Sequence, residues 1–253
     1  MSSDPQSVPA PVIPPPAETM SSWDRIVGAF FSPDETFRAI AQKPNVLLPL
    51  VITLILTAVS GILLAPRLEF DSLRTQMAAK NPNMGPEDID RAVRMAGAVG
   101  KVGSYASPLI ALIFFVIVAA VLLFAFRLMG GEGNFKQAFS VVVHAFLPRA
   151  ILSIILTGII VAKGTADVND IATMVRSNLG FLVDMTDHPV LYSLLTTFDL
   201  FTIWCVVLLT LGFAYVSRFT KAKSATIIIS IWLFITAVKL GFAAMGAAKM
   251  KAS

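Results

Sequence analysis

The sequence contains almost none of the residue types from which metal sites and disulfide frameworks are built. Its 253 residues include one cysteine and two histidines. Cys205 has no second cysteine to pair with, and His144 and His188 do not form the His-Glu-x-x-His pattern of a zinc protease. We therefore expect no disulfide framework, no metal site and no other cofactor.

Motifs of intramembrane hydrolases are missing as well. The Gly-x-Ser triplet that rhomboid-type serine proteases use occurs nowhere in the chain. An intramembrane aspartyl protease needs two aspartates that share a proton, and Asp199 is the only acidic residue inside a predicted span. We therefore expect no enzymatic activity.

Charged residues are scarce, and long apolar runs take their place. Hydrophobic residues make up 56% of the chain and charged residues 14%, and the mean hydropathy is +0.76. About 20 helical residues cross a hydrocarbon core of about 30 Å. Membrane strands are excluded, because such strands alternate apolar and polar residues. The sequence predicts an all-α membrane protein whose five-span domain covers residues 45–247, with spans at 46–65, 108–129, 138–162, 190–216 and 225–246.

The net charge is +4, and the lysines and arginines are concentrated in the connections between the predicted spans. Cationic connections beside a membrane meet anionic lipid head groups first. We expect the lipid bilayer as the main partner and no binding of nucleic acid. Other membrane proteins, or a second copy of the chain, are the candidate protein partners.

The amino-terminal segment divides into a tail and two short helices. Residues 1–20 hold six prolines and no apolar core, which predicts a disordered, Pro-rich tail without a signal peptide. Residues 21–44 are predicted to form short amphipathic helices at the membrane surface. In the first of them, aromatic residues recur along one side, so the predicted interfacial anchors are Trp23, Phe30 and Phe31.

The second short helix is predicted from its start signals. Ser32 is placed to cap the helix, Pro33 fits its first position, and Glu35 stands three residues after the cap. The helix should run to about Gln42, because Pro44 stops it.

Two connections between spans carry distinct patterns. Residues 66–107 contain amphipathic helical stretches at about 68–79 and 86–99, and we interpret them as a surface lid or spacer. Residues 130–135 are rich in glycine, but they lack the Gly-Lys-Ser/Thr ending of a phosphate loop and follow no strand. This second connection is predicted to be a turn.

Four ionisable residues interrupt the apolar runs: His144, Arg149, Asp199 and Lys239. A charged side chain at the bilayer centre costs about 2.5–3.5 kcal/mol on insertion scales. At about 1.5 Å per residue, Arg149, Asp199 and Lys239 lie at depths where they can meet. One interpretation is a structural ion pair that holds Asp199 ionised, and the other is a polar path for a proton, ion or small solute. Beside this group, Pro148 is predicted to kink the third span.

The first span carries a stripe of small residues spaced four apart, which lets another helix approach closely. The stripe consists of Thr53, Thr57, Gly61 and Ala65. Both a span of the same chain and a second copy of the protein fit this stripe.

Several motifs together resemble the Yip family. They are Ser-Pro-Asp-Glu-Thr-Phe at 32–37, Gly-Gly-Glu-Gly-Asn-Phe-Lys-Gln-Ala-Phe-Ser at 130–140, Leu147-Pro148, and Asp-Leu-Phe-Thr-Ile-Trp at 199–204. The resemblance covers residues 23–246 and is closer to the bacterial branch of the family. It implies five membrane helices, a cytosolic amino terminus and no known catalytic activity. In eukaryotic members it also implies binding of Rab-type GTPases and roles in vesicle traffic and membrane shape.

Charge does not decide the orientation, because the lysines and arginines are almost evenly divided between the two sides of the predicted spans. We follow the resemblance and expect a cytoplasmic amino terminus and a location in the bacterial inner membrane. The sequence leads to a non-enzymatic membrane organiser or adaptor, with a role in membrane organisation or traffic-like processes. The alternative is a small transporter or channel component with a polar path through Asp199, Arg149 and His144.

Overall fold

The computed structural model describes residues 20–185 and 187–252. The predicted Pro-rich tail therefore lies outside the described residues, apart from Met20. The described part is helical almost throughout, and five of its helical segments are long and apolar enough to cross a membrane. The predicted fold class, an all-α membrane protein, is confirmed.

Two short helices precede the first span. Helix α1 is Ser22–Phe31, and it begins with a capping box in which the side chains of Ser21 and Asp24 each accept from the backbone of the other. Helix α2 is Pro33–Gln42, with the predicted bounds. The predicted cap is wrong in one respect, because the Ser32 side chain makes no capping hydrogen bond. Ser32 lies between α1 and α2. Its backbone N–H donates to the Gly28 carbonyl of α1, and its carbonyl accepts from the Thr36 N–H of α2.

Five membrane spans follow. The first is α3 and the second is α6, and the third consists of two consecutive helices, α7 and α8. The fourth is α11, and the fifth occupies most of α12. Their bounds are Leu47–Leu64 for α3, Ser107–Leu128 for α6, Phe135–Ala145 for α7, Leu147–Lys163 for α8, Leu200–Ser217 for α11 and Lys221–Ala252 for α12.

The connections define two faces of the span bundle. The near face carries α1, α2 and the turns at 129–134 and 218–220. The first of these turns contacts the end of α11, where the Glu132 N–H donates to the Ser217 carbonyl. The far face carries the longer connections. These contain strand β1 (Leu68–Glu69), helices α4 (Asp71–Lys80) and α5 (Pro86–Tyr105), strand β2 (Ala166–Asp167), and helices α9 (Ile171–Met174) and α10 (Pro189–Leu195).

The two far-face connections are joined by a minimal parallel sheet. Leu68 pairs with Ala166, and Glu69 pairs with Asp167. The Ser72 N–H donates to Asp167 Oδ2 at 3.1 Å, which fixes the start of α4 to the second connection. Helix α5 is longer than the predicted stretch at 86–99, because it continues to Tyr105 and packs against the end of α3.

The third span is interrupted at Phe146, two residues before Pro148. Proline has no N–H and cannot continue the hydrogen-bond ladder of α7. It occupies the first turn of α8 instead, where no such bond is required. The Phe146 carbonyl accepts from the N–H of Arg149 at 3.1 Å and of Ala150 at 3.3 Å, and the Phe146 N–H donates to the Val142 carbonyl at 3.1 Å, so both backbone polar groups of Phe146 are paired.

The small-residue stripe of the first span contacts another part of the same chain. A Cβ placed on Gly61 would lie 1.9 Å from the Ser104 carbonyl oxygen at the end of α5. One turn away, the Ser107 hydroxyl donates to the Thr57 carbonyl at 2.9 Å. The stripe therefore serves internal packing, and it brings the far-face helix α5 onto the first span.

The core lies on the near-face half of the bundle, where α2 packs against α7 and α11. Phe37 of α2 is fully buried there, together with Val141 and Phe213. A Cβ on Gly212 would lie 2.3 Å from Val141 Cγ1 and 2.9 Å from Phe37 Cδ1. The absence of a side chain at Gly212 is what allows α2, α7 and α11 to meet.

Candidate functional site

Helix α1 presents an apolar face that no other described part of the chain covers. Trp23, Val27 and Phe31 lie on this face, with 59%, 43% and 84% of their surface exposed. The opposite face contains Arg25 and Gly28, which are buried. This arrangement is typical of a helix that lies in the head-group region with its aromatic side in lipid. Of the predicted anchors, Trp23 and Phe31 are exposed and Phe30 is half-buried.

A buried arginine attaches α1 to the bundle. The Arg25 side chain is only 4% exposed, and its Nη1 donates to the Lys43 carbonyl at 2.5 Å and to Asn45 Oδ1 at 3.0 Å. The Asn45 carbonyl in turn accepts from the Ser140 hydroxyl at 2.6 Å. These bonds connect α1, the chain entering α3, and the third span, so α1 is fixed in position.

A second polar group attaches α2 to the last two spans. Asp34 forms an ion pair with Lys221 and accepts from the Tyr215 hydroxyl at 2.7 Å. Arg38 lies 3.5 Å from the same carboxylate. The hydrogen bond from Lys221, followed by that from Tyr215, lowers the pKa of Asp34 below its ordinary value. Asp34 is therefore held as a carboxylate on the near face.

On the other side of the bundle, the predicted intramembrane cluster separates into different contacts. Arg149 Nη1 donates to the Thr202 hydroxyl at 2.7 Å, and that hydroxyl lies 3.4 Å from Asp199 Oδ1. Lys239 Nζ donates to the Ser193 carbonyl at 3.2 Å and to Thr197 Oγ1 at 2.9 Å. Among the described residues, the ion pairs involve Arg38, Arg74, Arg218 and Lys221. The expected direct ion pair of Asp199 with Arg149 or Lys239 is therefore wrong.

Asp199 also lies at a different depth from the one predicted. The predicted fourth span, 190–216, is divided into α10 and α11, and Asp199 is the residue before α11. Its Oδ1 accepts from the Thr202 N–H at 3.0 Å, which is the hydrogen bond of an N-cap. The 18 residues of α11 span about 27 Å from the near face. Asp199 thus lies near the far end of the hydrocarbon core, where a carboxylate is tolerated more easily.

His144 stands apart from the other three residues. It is fully buried, and its Nδ1 lies 2.8 Å from the Ser140 carbonyl. A carbonyl can only accept, so Nδ1 carries the proton and Nε2 is left as an acceptor. Within the described residues this Nε2 has no hydrogen-bond partner. Ser140 joins His144 to the bonds that hold Arg25, which makes His144 part of the near-face attachment.

Two cavities meet at Arg149 and Thr202. The first, the polar pocket, has a volume of about 230 Å³ and lies among α8, α9, α10 and α11, where Ser177, Asn178 and Asp199 line it. The second, the apolar cavity, has a volume of about 500 Å³ and is lined by all five spans. Arg149 and Thr202 line both, and His144 lines neither.

The sequence did not predict the part of the polar pocket that comes from the far-face connection. The Ser177 hydroxyl donates to Asp199 Oδ2, and the Ser177 carbonyl accepts from the Leu200 N–H at 2.9 Å. A single polar residue in an irregular segment gives no periodic signal, so these contacts had no sequence signature. Among the described residues, no group of three or more His, Cys, Asp or Glu side chains is placed to hold a metal ion.

Comparisons with curated proteins and with solved structures gave no match. The family model of the Yip1 domain matches residues 27–243. The match begins inside α1 and ends inside the fifth span. It therefore includes the second half of α1, all of α2, the first four spans and most of the fifth. Because it covers well over half of the sequence, this chain belongs to the Yip1 domain family of multi-pass membrane proteins.

Proposed function

We propose that this protein is a non-enzymatic organiser of the membrane, which acts by holding an amphipathic helix in one leaflet. The observation that carries this proposal is the exposed aromatic face of α1 on a helix that is fixed to the span bundle. A free amphipathic helix binds and leaves a bilayer reversibly. Here the Arg25 contacts and the Asp34 contacts keep α1 and α2 attached to the spans.

The physical effect follows from where the apolar side chains lie. An interfacial helix buries its apolar face about 5–10 Å deep, at the boundary between head groups and acyl chains. Trp23 and Phe31 therefore add volume to the near leaflet at a fixed place beside the bundle. Volume added to one leaflet favours curvature toward that leaflet, which accounts for a role in membrane organisation or traffic-like processes.

We propose the inner membrane of a bacterium as the location, with the near face and the amino terminus in the cytoplasm. The resemblance to the bacterial branch of the Yip family supports this orientation. The bilayer is the first partner in this proposal. Other membrane proteins or a second copy of the chain are further partners, for which the exposed face of α1 is one contact surface.

The transport alternative has less support. It requires one path through Asp199, Arg149 and His144, but His144 lines neither the polar pocket nor the apolar cavity. The apolar cavity is lined mainly by aliphatic and aromatic side chains, which offer an ion or a small polar solute little to replace its hydration.

The test is reconstitution of the full chain into vesicles of phosphatidylethanolamine and phosphatidylglycerol, with vesicle diameter measured by electron cryomicroscopy. Increasing amounts of protein should shift the vesicles toward small diameters and tubules. The double substitution Trp23→Ser with Phe31→Ser should remove this shift. Met84→Ser, at an exposed apolar residue on the far face, is the matched control and should behave as wild type. Equal remodelling by the double variant would refute the proposal.

A further inference from the structure

The polar pocket and the apolar cavity adjoin each other. They differ in character, and they share Arg149 and Thr202 as their common boundary. A volume of about 500 Å³ lies within the range of about 300–1,000 Å³ that small-molecule sites occupy. A ligand that fills both must be polar at one end and apolar at the other.

The two cavities are stacked along the membrane normal. Arg149 lies about 21 Å from the near end of the third span, counted from Phe135, and Asp199 about 27 Å from the near end of α11. The apolar cavity extends from Arg149 toward the near face, down to Thr53 of the first span. A lipid of the far leaflet has the same order, with its head group outermost and its acyl chains toward the bilayer centre.

Two opposite charges line the polar pocket without pairing with each other. The guanidinium of Arg149 has five N–H donors, and among the described residues its side chain has one hydrogen-bond partner, the Thr202 hydroxyl at 2.7 Å. It is also exposed, although it lies inside the third span. A cation at that depth requires an anion or a polar partner, and a phosphate diester is the acceptor that a guanidinium fork fits best.

Asp199 supplies the second half of the recognition. Its carboxylate accepts from Ser177 and Thr202, and two carboxylate oxygens together have about four lone-pair sites. A ligand with negative charge alone would be repelled by Asp199. A ligand with a phosphate and a primary ammonium satisfies both residues, because the ammonium has three N–H donors for the carboxylate.

From this geometry we infer that the chain binds one phospholipid of the phosphatidylethanolamine type, with its phosphate on Arg149, its ammonium on Asp199 and an acyl chain in the apolar cavity. Choline-headed lipids lack an N–H donor for Asp199. Glycerol-headed lipids have the phosphate and no ammonium. Both therefore satisfy only one of the two charged residues. This site is separate from the exposed face of α1. A failed lipid-binding experiment would therefore leave the proposed function unaffected.

The experiment is a titration of the delipidated full chain in mild detergent, with bound lipid counted by native mass spectrometry. Phosphatidylethanolamine, phosphatidylcholine and phosphatidylglycerol with the same acyl chains are compared. A hydrogen bond to a charged group corresponds to about tenfold or more in affinity. We expect phosphatidylethanolamine to bind more tightly than the other two lipids by that factor. Equal binding of the three lipids would overturn the inference.

Substitutions separate the two halves of the site. Asp199→Asn should reduce phosphatidylethanolamine binding to the level of phosphatidylcholine while leaving phosphatidylcholine binding unchanged. Arg149→Gln should weaken the binding of all three lipids. Arg218→Gln, which removes a near-face arginine, is the control and should leave the binding of all three unchanged. Retention of the phosphatidylethanolamine preference in Asp199→Asn would refute the assignment of the ammonium.

The apolar cavity is tested by filling it. Val206 lines the cavity, and Val206→Phe should exclude the acyl chain. Binding of all three lipids should weaken by at least about tenfold, since the loss of about two buried methylene groups already corresponds to that factor. Unchanged lipid binding by Val206→Phe would show that the acyl chain lies outside the apolar cavity and would overturn that part of the inference. Size-exclusion profiles and helical circular dichroism establish that each variant is folded. If Arg149→Gln does not fold, Arg149→Lys retains the charge without the fork and should still weaken binding of all three lipids.

Discussion

Arg149 and Asp199 both reach the hydroxyl of Thr202, and they do so without forming an ion pair with each other. The arginine donates to this hydroxyl at 2.7 Å, and the hydroxyl lies 3.4 Å from the carboxylate. The carboxylate is mainly occupied with the backbone, since it caps α11 through the Thr202 N–H. Asp199 is therefore a helix cap that also lines the polar pocket.

The first prediction tests this capping role. Asp199→Ala should lower the stability of the protein by about 0.5–2 kcal/mol, the usual cost of losing an N-cap. Asp199→Asn should cost less, because asparagine caps a helix about as well as aspartate. The measurement is the apparent melting temperature of purified protein in mild detergent without added lipid. Equal losses in the two variants would mean that the charge of Asp199, and not its capping bond, stabilises the fold.

The sequence predicted the span count because each span is a long apolar run, and bilayer thickness alone sets the required length. It predicted α2 equally well, since Pro33 and the acidic residues after it act locally. It failed at Asp199 for an equally physical reason. Hydropathy averages over many residues, and the run from 190 to 216 remains apolar although Thr196, Thr197 and Asp199 end one helix and begin another.

The polar pocket could not be predicted from the sequence, because its residues come from distant segments. Asp199 and Arg149 were identified because charges are conspicuous in apolar runs. Ser177 and Asn178 were missed, because polar residues are ordinary in a connection. The depth calculation assumed that the apolar run at 190–216 was one helix, and so it placed Asp199 too deep for its actual position at the start of α11.

The second prediction concerns pH and the near face. The folded-state pKa of Asp34 is lowered by its bonds from Lys221 and Tyr215, so the ionised form stabilises the fold. That contribution is complete above the ordinary carboxyl pKa of 3.8, and it is lost as the pH falls through the lower folded-state value. Asp34→Asn should therefore be less stable than wild type at pH 6, and the difference should shrink below pH 4.

The measurement for Asp34 is a series of thermal unfolding curves in detergent between pH 3 and pH 7. Glu35→Gln is the matched control, because Glu35 lies on the same helix and is exposed. It should show no comparable pH-dependent difference from wild type. A pH-independent difference between Asp34→Asn and wild type would contradict the role assigned to the carboxylate.

The third prediction concerns the attachment of α1. Arg25→Ala leaves the Lys43 carbonyl and the Asn45 side chain without their buried donor, at a cost of about 1–3 kcal/mol for an unsatisfied polar group. Because these bonds connect α1 to the bundle, the loss should be local. Hydrogen exchange at residues 22–31 should accelerate, while exchange in the spans stays slow. Arg38→Ala, at an exposed arginine, should leave exchange at residues 22–31 unchanged, and a uniform acceleration in Arg25→Ala would count against a local attachment.

The fourth prediction is topological. Cysteine labels at Glu132 and at Met84 should react from opposite sides of the membrane, because these residues lie on the near and far faces. The Cys205→Ala background suits this experiment, since Cys205 is buried and lines the apolar cavity. With the proposed orientation, only Glu132→Cys should be protected from a membrane-impermeant reagent in intact cells. Labelling of both sites from outside would contradict the arrangement of the faces.

The last prediction compares two glycines that differ only in what surrounds them. Gly61→Ala places a methyl group against the Ser104 carbonyl oxygen, where the ideal position lies only 1.9 Å away. This neighbour is a backbone atom at the end of α5 and cannot rotate aside. Helix α5 must therefore move away from the first span. Overpacking of this kind costs about 1–3 kcal/mol.

Gly158→Ala is the matched control, because a Cβ there would meet nothing within 4 Å. Since alanine is favoured over glycine inside a helix by up to about 1 kcal/mol, this variant should be as stable as wild type or more so. Melting temperatures of the two variants in mild detergent measure the contrast. The lower stability expected of Gly61→Ala should be accompanied by faster hydrogen exchange at the end of α5. Equal stability of the two variants would mean that α5 does not pack closely against the first span.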